Sequence, residues 1–379
     1  MILSNLKLNN FRNYDKLDLN FNEKINIFIG NNAQGKTNIL ESIYVLSLTK
    51  SHRTNKDIYL LKQNTVYTKI TGIIDNNKYE LLINREGKKV SINNNVFKKV
   101  SDYISKINVI MFCPDDLEII KGSPSLRRSF FNISISGFNN NYVRYLGEYN
   151  KVLKARNEYL KNNEVINKEY LDVLTNKLID LNIKIYSERV NYVEKINTYL
   201  KDIYKDISGK TNIKLTYDSF IEDKDNIKNE LEDKFNLIYN TELSQRVTLL
   251  GVHRDDFSIY IDDIKINYYG SQGQHRMAIL CLKLSEIKIY QEEYNKKPIL
   301  LLDDIFSELD KDKKTNIIKY IDDDLQVFIT STDLNNIDKK IVKNSTIFRI
   351  DNGKVLEGDK NGRKLWSKWY SSIRRIRSS

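Results

Sequence analysis

A chain of 379 residues can form one large domain with an insertion or two to three smaller domains. It is 40% hydrophobic and 29% charged, which is typical of a globular protein. No apolar run approaches the roughly 18 residues of a membrane span, and the N-terminus lacks the layout of a signal peptide. We therefore expect a cytoplasmic protein. The net charge of +11 favours a polyanionic partner such as nucleic acid, although AT-rich codons for lysine and asparagine would also raise it.

The N-terminal region is predicted to form strands that lead into a phosphate-binding loop. Residues 2–29 alternate apolar and polar side chains and end in the buried run Ile25–Ile29. The next segment fits the pattern G-x-x-x-x-G-K-[ST], and a helical pattern follows it. The residues of this loop, all predicted to bind a nucleotide, are Gly30, Asn31, Asn32, Ala33, Gln34, Gly35, Lys36 and Thr37.

The chemistry of this loop follows from its residue types. The two glycines let backbone N–H groups point inward at phosphate oxygens, and the N-terminus of the next helix favours the same anion. We predict that Lys36 reaches the β and γ phosphates and acts in catalysis, and that the Thr37 hydroxyl takes one Mg²⁺ position. A glycine-bearing turn before an ordinary helix is the alternative interpretation, and the strand–loop–helix context argues against it.

The middle of the chain changes from strand patterns to helix patterns. Up to residue 112 the chain predicts short strands, including a hairpin of 66–74 and 78–84. Between 142 and 203, apolar residues recur at three- and four-residue spacing. This spacing predicts two long antiparallel helices that are separated near Asn162-Asn163.

From residue 213 strand patterns return. Strands are predicted at 213–220, 247–252, 257–261 and 264–268, and a helix is predicted over 274–294. The wholly apolar run Ile299–Leu302 predicts a strand at the centre of a sheet that is covered on both faces. The remaining predicted elements are a helix at 311–321, a strand at 327–329, a hairpin over Asp351-Asn352-Gly353 and a basic tail.

Two acidic residues follow the Ile299–Leu302 strand. A carboxylate at the end of a buried strand beside a P-loop can hold Mg²⁺ directly or through water, so we assign Asp303 to the metal. Asp304 points elsewhere and is predicted to polarise the attacking water in catalysis. An acidic turn after a strand is the common structural alternative, and the accompanying P-loop favours the functional interpretation.

A third motif stands just before the predicted helix 274–294. Ser271 is a good helix N-cap, Gly273 allows close approach of another backbone, and the helix N-terminus favours an anion. Taken alone, this segment indicates only a capped helix start. Its meaning comes from its position between the P-loop and the acidic strand.

The order of these three motifs resembles the ABC-type ATPase head, with Gly270–Gln274 in the place of the signature motif and Ser307–Asp310 in that of the D-loop. Within that superfamily the chain resembles the RecF family of bacterial recombination mediators. The matching segments are Asn10–Tyr14, Ser51–Thr54, Pro114–Leu117, Gly122–Pro124 with Arg127-Arg128, Gly251–Asp256, Ser271–Gln274 and Leu302–Asp310. They cover nearly the whole chain.

The resemblance implies an α/β fold. It would be an ABC-ATPase-like head, in which a mixed sheet carrying the P-loop accompanies an antiparallel β region, with an inserted helical lid or arm. The implied domains are an ATPase head of residues 1–135 and 245–358, a helical arm of residues 136–244, and a basic tail of residues 359–379.

The resemblance also implies a function. It is that of an ATP-dependent DNA-binding protein of DNA repair, replication, recombination and the SOS response, with ATP and Mg²⁺ as cofactors and a weak, DNA-stimulated ATPase. Two protomers would sandwich ATP, with the Lys36 loop of one facing the Ser271 turn of the other, so that ATP holds a homodimer and hydrolysis releases it. Such a dimer would bind single- and double-stranded DNA at gaps or junctions without sequence specificity. Its implied partners are RecR-like and RecO-like mediators and, indirectly, a RecA-like recombinase.

The same resemblance adds residues to the ATP site. They are Arg12, Asn13, Ser271, Gly273, Gln274, Asp310 and Ser331. Two departures from the ABC pattern stand out. The usual catalytic glutamate is Asp304, one methylene shorter, which is consistent with slow turnover. The switch histidine has no counterpart near residues 330–332, where Ser331 marks only the position.

Three other classes of protein fit these motifs less well. A small-molecule P-loop kinase would need neither the Ser271 turn nor a helical insertion. An ABC transporter ATPase subunit would be shorter between the motifs and usually carries the switch histidine. A head related to SMC or Rad50 proteins would need a coiled-coil arm of hundreds of residues.

Overall fold

The structure of the protein is a computed structural model that describes residues 1–308 and 325–360. Its strands are β1 (Leu3–Phe11), β2 (Tyr14–Asn20), β3 (Ile25–Ile29), β4 (Tyr67–Ile74), β5 (Asn77–Asn84), β6 (Gly87–Ile92), β7 (Asn95–Val96), β8 (Val109–Phe112), β9 (Ile213–Asp218), β10 (Asp256–Ile261), β11 (Ile264–Lys265), β12 (Ile299–Asp303), β13 (Val327–Ser331), β14 (Ser345–Asp351) and β15 (Lys354–Lys360). Its α-helices are α1 (Lys36–Leu48), α2 (Leu117–Lys121), α3 (Pro124–Phe138), α4 (Asn140–Asn162), α5 (Lys168–Ser208), α6 (Ile227–Gln245), α7 (Ile266–Tyr269), α8 (Gln272–Glu292), α9 (Ile305–Glu308) and α10 (Lys339–Lys343). The predicted helix 311–321 and the basic tail beyond residue 360 lie outside the described residues.

The chain divides into two compact units. The first comprises Met1–Asp116 and Glu286–Ser379, and the second comprises Leu117–Ser285. The predicted helical domain 136–244 falls within the second unit, which begins earlier and ends later than that range. The predicted domain boundaries stay a prediction.

The first unit is built on two six-stranded sheets. The antiparallel sheet has the order β2-β1-β4-β5-β6-β7; the other has the order β15-β14-β3-β13-β12-β8 and is parallel except between β14 and β15. Every residue of β12 is buried, as expected for a strand of a parallel sheet covered on both faces. Helix α1 contacts strands of both sheets and is buried along most of its length. The predicted combination of a mixed sheet and an antiparallel β region is confirmed.

The parallel pairing brings the carboxyl ends of three strands to one edge of the sheet. Ile29, the last residue of β3, pairs with Ser331 of β13, and Thr330 of β13 pairs with Asp303 at the end of β12. The chain leaves β3 directly into the loop 30–35. The predicted phosphate loop and the predicted metal ligand therefore meet at the same edge, where ligands commonly bind in open α/β sheets.

The second unit contains the two predicted long helices, which are confirmed as α4 and α5. Helix α5 begins after Asn167, whose Oδ1 accepts a hydrogen bond from the backbone N of Tyr170 at 3.0 Å. Helix α6 packs against α5, and the strands β11-β10-β9 form an antiparallel sheet. In the part of the chain that the structure describes, no helix is both long and apolar enough to cross a membrane.

The predicted strand at 247–252 is wrong, because this segment is irregular. Its backbone N–H groups find partners on helix side chains instead of on a neighbouring strand. The N–H of Leu249 donates to Glu242 Oε1 at 2.7 Å, and the N–H of Val252 donates to Asn182 Oδ1 at 2.9 Å. The buried polar residues of α5 and α6 thus replace the hydrogen bonds of a ladder.

The predicted strand at 264–268 is wrong over its second half. Strand β11 ends at Lys265, and α7 begins at the next residue. The carbonyl oxygen of Ile266 accepts hydrogen bonds from the backbone N of Gly270 at 3.0 Å and from Nε2 of His275 at 2.7 Å. These two bonds hold the segment as a helical turn.

Candidate nucleotide-binding site

The predicted phosphate-binding loop closes around the ammonium group of Lys36. Lys36 Nζ donates hydrogen bonds to the carbonyl oxygens of Gly30 at 2.6 Å and Asn31 at 2.8 Å. Burial lowers the pKa of Lys36, and the nearby charges of Asp304 and Asp303 oppose that shift. Both hydrogen-bond acceptors are neutral, so the positive charge stays available to an anionic ligand.

Glycine is required at both ends of this loop. At Gly35 the backbone φ is +108°, and a Cβ atom would lie 2.6 Å from Nδ2 of Asn13 and 2.7 Å from the hydroxyl oxygen of Tyr14. At Gly30 a Cβ atom would lie 2.2 Å from the carbonyl oxygen of Ile350. A side chain fits at neither position, which gives a physical reason for both glycines of the motif.

Asp303 accepts hydrogen bonds from two threonine hydroxyls. Its Oδ1 lies 2.9 Å from Thr37 Oγ1 and 2.6 Å from Thr330 Oγ1. Burial raises the pKa of Asp303, whereas the two hydroxyl hydrogen bonds lower it. Magnesium is bound in nucleotide sites by one or two carboxylates together with hydroxyl, water and phosphate oxygens. The neighbouring oxygens of Thr37 and Asp303 fit this requirement.

A cavity of about 350 Å³ lies at the ends of these strands. Its lining residues are Asn32, Ala33, Gln34, Gly35, Lys36, Thr37, Asn38, Arg53, Asp303, Asp304 and Thr330. Asp304 has a left-handed φ of 50°, and its backbone N donates to Thr330 Oγ1 at 2.9 Å. The structure therefore brings most of the predicted loop and both predicted acidic residues to one cavity.

Three cavity-lining residues were not among the predicted site residues: Asn38, Arg53 and Thr330. Arg53 Nη1 donates to Asn38 Oδ1 at 3.0 Å, and Asn38 Nδ2 donates to Asn13 Oδ1 at 2.8 Å. Arg53 and Thr330 both lie in segments that the resemblance singles out. No local pattern indicated that their side chains face the loop, because turns and strand pairing bring them there.

The predicted site residues Arg12 and Asn13 differ in their relation to the cavity. Asn13 is one hydrogen bond from the cavity, through Asn38. Arg12 is not among the cavity-lining residues and binds Glu41 of α1 through two hydrogen bonds, Nε to Oε2 at 2.9 Å and Nη2 to Oε1 at 2.5 Å. Glu41 is fully buried; burial alone would raise its pKa, but the hydrogen bonds from Arg12 and Ser51 hold that pKa below its ordinary value.

The Ser271 turn begins α8 with reciprocal hydrogen bonds. The backbone N of Gln274 donates to Ser271 Oγ at 3.3 Å, and the backbone N of Ser271 donates to Gln274 Oε1 at 2.8 Å. This is a capping box, and it confirms Ser271 as the N-cap. Gly273 is exposed, and a Cβ atom added there would meet nothing closer than Ser271 Oγ at 3.9 Å.

Two predicted residues remain. The Ser331 hydroxyl donates to the carbonyl oxygen of Asp333 at 2.8 Å and accepts from its backbone N at 3.3 Å. Ser331 thus forms a local turn and is not among the cavity-lining residues. Asp310 lies outside the described residues.

The fold and the cavity together define the class of the protein as an ABC-ATPase-like head. The head domain of the Smc protein from Pyrococcus furiosus, solved with a bound fragment of ScpA, is similar with a TM-score of 0.52 and 15% identity over 98% of this chain and 99% of that one. A likeness at this identity shows the fold alone. No protein-family model matches the chain.

Comparison with curated proteins identifies the family. The chain is 40% identical over 363 residues to the DNA replication and repair protein RecF of Clostridium acetobutylicum, covering 94% of this chain and all of that protein. It is 38% identical over 370 residues to the protein of the same name from Ligilactobacillus salivarius, covering 94% and 98%. A solved structure of the recombination mediator RecF with ATP, from the RecFOR pathway, matches with a TM-score of 0.87 and 34% identity over 94% of this chain and 97% of that one. The chain belongs to the RecF family.

Proposed function

We propose that the protein is an ATP-gated DNA-binding protein of DNA repair, replication and recombination. The observation that carries this proposal is the contact of the P-loop with the acidic strand, in which Thr37 and Thr330 both donate to Asp303 beside Lys36. Relatives at about 40% identity are named DNA replication and repair proteins, and a similar solved structure is described with ATP.

In this proposal the cavity holds the triphosphate of ATP. Backbone N–H groups of residues 30–37 and the N-terminus of α1 surround the phosphates, and Lys36 exchanges its carbonyl partners for phosphate oxygens. Thr37 and Asp303 hold Mg²⁺, which supplies charge neutralisation at the phosphates when it is bound. The proposal thus assigns ATP, which a solved structure of a relative is described with, to the corresponding loop and strand of this chain.

Hydrolysis is assigned to Asp304, which lines the same cavity. A carboxylate at this position can orient a water molecule toward the γ-phosphate and accept its proton. Because the aspartate side chain is shorter than glutamate, we expect slow turnover. ATP hydrolysis would then act as a switch that ends a bound state.

The Ser271 turn provides the second half of the site from another copy of the chain. Its exposed Gly273 and the N-terminus of the long helix α8 offer backbone N–H groups to an anion. In the proposed dimer this turn closes over the γ-phosphate held by the partner's P-loop. Two composite sites form per dimer, and ATP stabilises the dimer by binding both halves.

The proposed ligand of the ATP dimer is gapped or junction DNA, bound through its phosphates without sequence specificity. The chain's net charge of +11 supports this choice. RecR-like and RecO-like mediators are the proposed protein partners, because a solved structure of a relative is described within the RecFOR pathway. A RecA-like recombinase would be served indirectly.

The proposal is tested by measuring molar mass and DNA binding together. Light scattering should give twice the monomer mass with ATP and Mg²⁺ and the monomer mass with ADP. Affinity for a gapped duplex should rise with ATP and fall steeply with salt. Equal DNA binding with ATP, with ADP and without nucleotide would contradict the gating.

A further inference from the structure

Two tyrosines beside the Ser271 turn are unusually open to solvent. Tyr268 is 71% exposed and Tyr269 is 81% exposed, which makes them the two most exposed aromatic side chains among the described residues. Their ring centroids lie 6.4 Å apart. An aromatic ring in water leaves a large apolar area unburied, so a rigidly held pair at one place is a mark of an interaction surface.

The segment under these rings is firmly held. Ile266 is fully buried, and Oδ1 of the nearly buried Asn267 accepts a hydrogen bond from the backbone N of Ile259 in β10 at 3.2 Å. The carbonyl oxygen of Ile266 also accepts from Nε2 of the buried His275 in α8 at 2.7 Å. Helix α7 is thus tied both to the sheet and to α8.

The connection between the tyrosines and the Ser271 turn is equally tight. A Cβ atom at Gly270 would lie 2.5 Å from His275 Nε2 and 2.7 Å from the carbonyl oxygen of Ile266, so the chain passes through a space that only glycine fits. On the other side, Lys265 Nζ lies 5.6 Å from the ring centroid of Tyr268 and 3.1 Å from Asp218 Oδ2. The rings are therefore presented on a preorganised platform.

We infer that Tyr268 and Tyr269 are aromatic anchors of the ATP-induced dimer and that a second copy of the chain covers them. This inference rests on the proposed function, in which the Ser271 turn meets the partner's cavity. Consecutive Cα atoms are about 3.8 Å apart, so the Cα of Tyr269 is at most about 7.6 Å from that of Ser271.

The size of a stable interface favours burial of the tyrosines beside the Ser271 turn. A specific dimer covers about 800 Å² on each partner, which corresponds to a disc of about 16 Å radius. A contact at Ser271 therefore extends over Tyr269 unless the interface ends immediately beside it. Tyrosine is enriched among the side chains that dominate binding energy, because it buries much area at a low entropic cost.

The test compares dimer affinity among matched tyrosine variants. Tyr268→Ala and Tyr269→Ala should each raise the dissociation constant of the ATP dimer about tenfold to a hundredfold by analytical ultracentrifugation. ATP binding to the monomer should stay unchanged. Tyr170→Ala is the control, because Tyr170 is 51% exposed on α5 of the same unit and should leave the dimer as tight as the wild type. Tyr269→Phe should preserve most of the affinity.

Footprinting of the wild type gives a second readout that does not depend on variant folding. Hydroxyl-radical oxidation of Tyr268 and Tyr269 should fall with ATP and return with ADP, while oxidation of Tyr170 stays constant. If the wild type dimerises with ATP but the two rings stay reactive and both alanine variants dimerise normally, the inference is overturned while the proposed function stands. If the wild type does not dimerise with ATP, the inference and the proposed function both fail.

Discussion

The P-loop and the Ser271 turn both lie at the start of a helix, but they are built in different ways. Around the P-loop, Lys36 donates hydrogen bonds to carbonyl oxygens of its own loop, and Thr37 donates to Asp303 on another strand of the first unit. At the Ser271 turn, the cap is closed by Gln274 only three residues away, and Gly273 is exposed.

In the proposed composite site, this difference separates the roles of the two sides. The cavity side is preorganised by contacts within the loop and with a distant strand, so its binding groups are in place before nucleotide arrives. In the proposed dimer, the turn side offers exposed backbone and aromatic rings to another copy of the chain. Changes on the first side should affect folding and nucleotide binding, and changes on the second should affect association only.

The largest effect is expected at Glu41, on the cavity side. Glu41→Gln leaves Arg12 against a neutral amide in a buried position, which should lower the free energy of unfolding by about 3 kcal/mol in urea titrations at pH 7. The pKa of Glu41 is lowered in the folded state, so its contribution is complete above its ordinary value of 4.5 and is lost as pH falls through the lowered value.

The difference in stability between wild type and Glu41→Gln should therefore shrink in acid below pH 4.5. The control is Asp18→Asn, which removes the exposed partner of Lys7 and should change stability by well under about 1 kcal/mol. If the difference in unfolding free energy between wild type and Glu41→Gln is constant from neutral to acidic pH, the charge of Glu41 is not what stabilises the fold.

The next effect is expected at Lys36. Lys36→Ala removes the cation that faces the phosphates, so ATP affinity measured by calorimetry should fall about a hundredfold, equivalent to about 2.7 kcal/mol. Lys50→Ala, an exposed lysine just beyond the far end of α1, is the control and should bind ATP as the wild type does. Undiminished ATP affinity in Lys36→Ala would place the nucleotide elsewhere.

A smaller effect, on dimerisation and not on ATP binding by the monomer, is expected at Gly273. Gly273→Val should weaken the ATP dimer at least about tenfold by obstructing the partner, while the monomer binds ATP normally. The control is Gly147→Val, because Gly147 also lies in a helix of the second unit, and a Cβ atom added at Gly147 would meet no atom within 4 Å. Reduced monomer stability in Gly273→Val but not in Gly147→Val would contradict the open surface described at this position.

The smallest effect is expected at Thr330. Thr330→Val removes the hydrogen bond that the hydroxyl donates to the buried Asp303 and the one that it accepts from the backbone N of Asp304. It should cost about 1 kcal/mol of unfolding free energy, with a few-fold loss of Mg²⁺-dependent ATP binding. Thr330→Ser keeps the hydroxyl and should restore both. Equal behaviour of the valine and serine variants would remove Thr330 from the site.

Local patterns in the sequence were sufficient for the elements of the site. The run Ile25–Ile29, the loop glycines and the capped start of α8 each depend on neighbours a few residues apart, so composition and spacing predict them. The joining of Thr37 to Asp303 was expected because the P-loop and acidic strand have known relative positions in a parallel sheet.

Other features depend on contacts that spacing does not encode. Thr330 reaches Asp303 through the pairing of β13 with β12, and Arg53 reaches Asn38 through the turn after α1. The strand predicted at 247–252 failed because side chains of distant helices satisfy its backbone. Likewise, the sequence contains no sign that Gln34 accepts hydrogen bonds from the turn between β14 and β15.

In the proposed dimer, one copy supplies the cavity and another supplies the Ser271 turn. The most direct measurement is the molar mass, with ATP and Mg²⁺, of an equimolar mixture of Lys36→Ala and Gly273→Val. Each variant alone should stay monomeric, whereas the mixture should form a heterodimer, because one of its two composite sites combines an intact P-loop with an intact turn. A mixture that stays monomeric under conditions where the wild type dimerises, or variants that dimerise alone, would contradict the account.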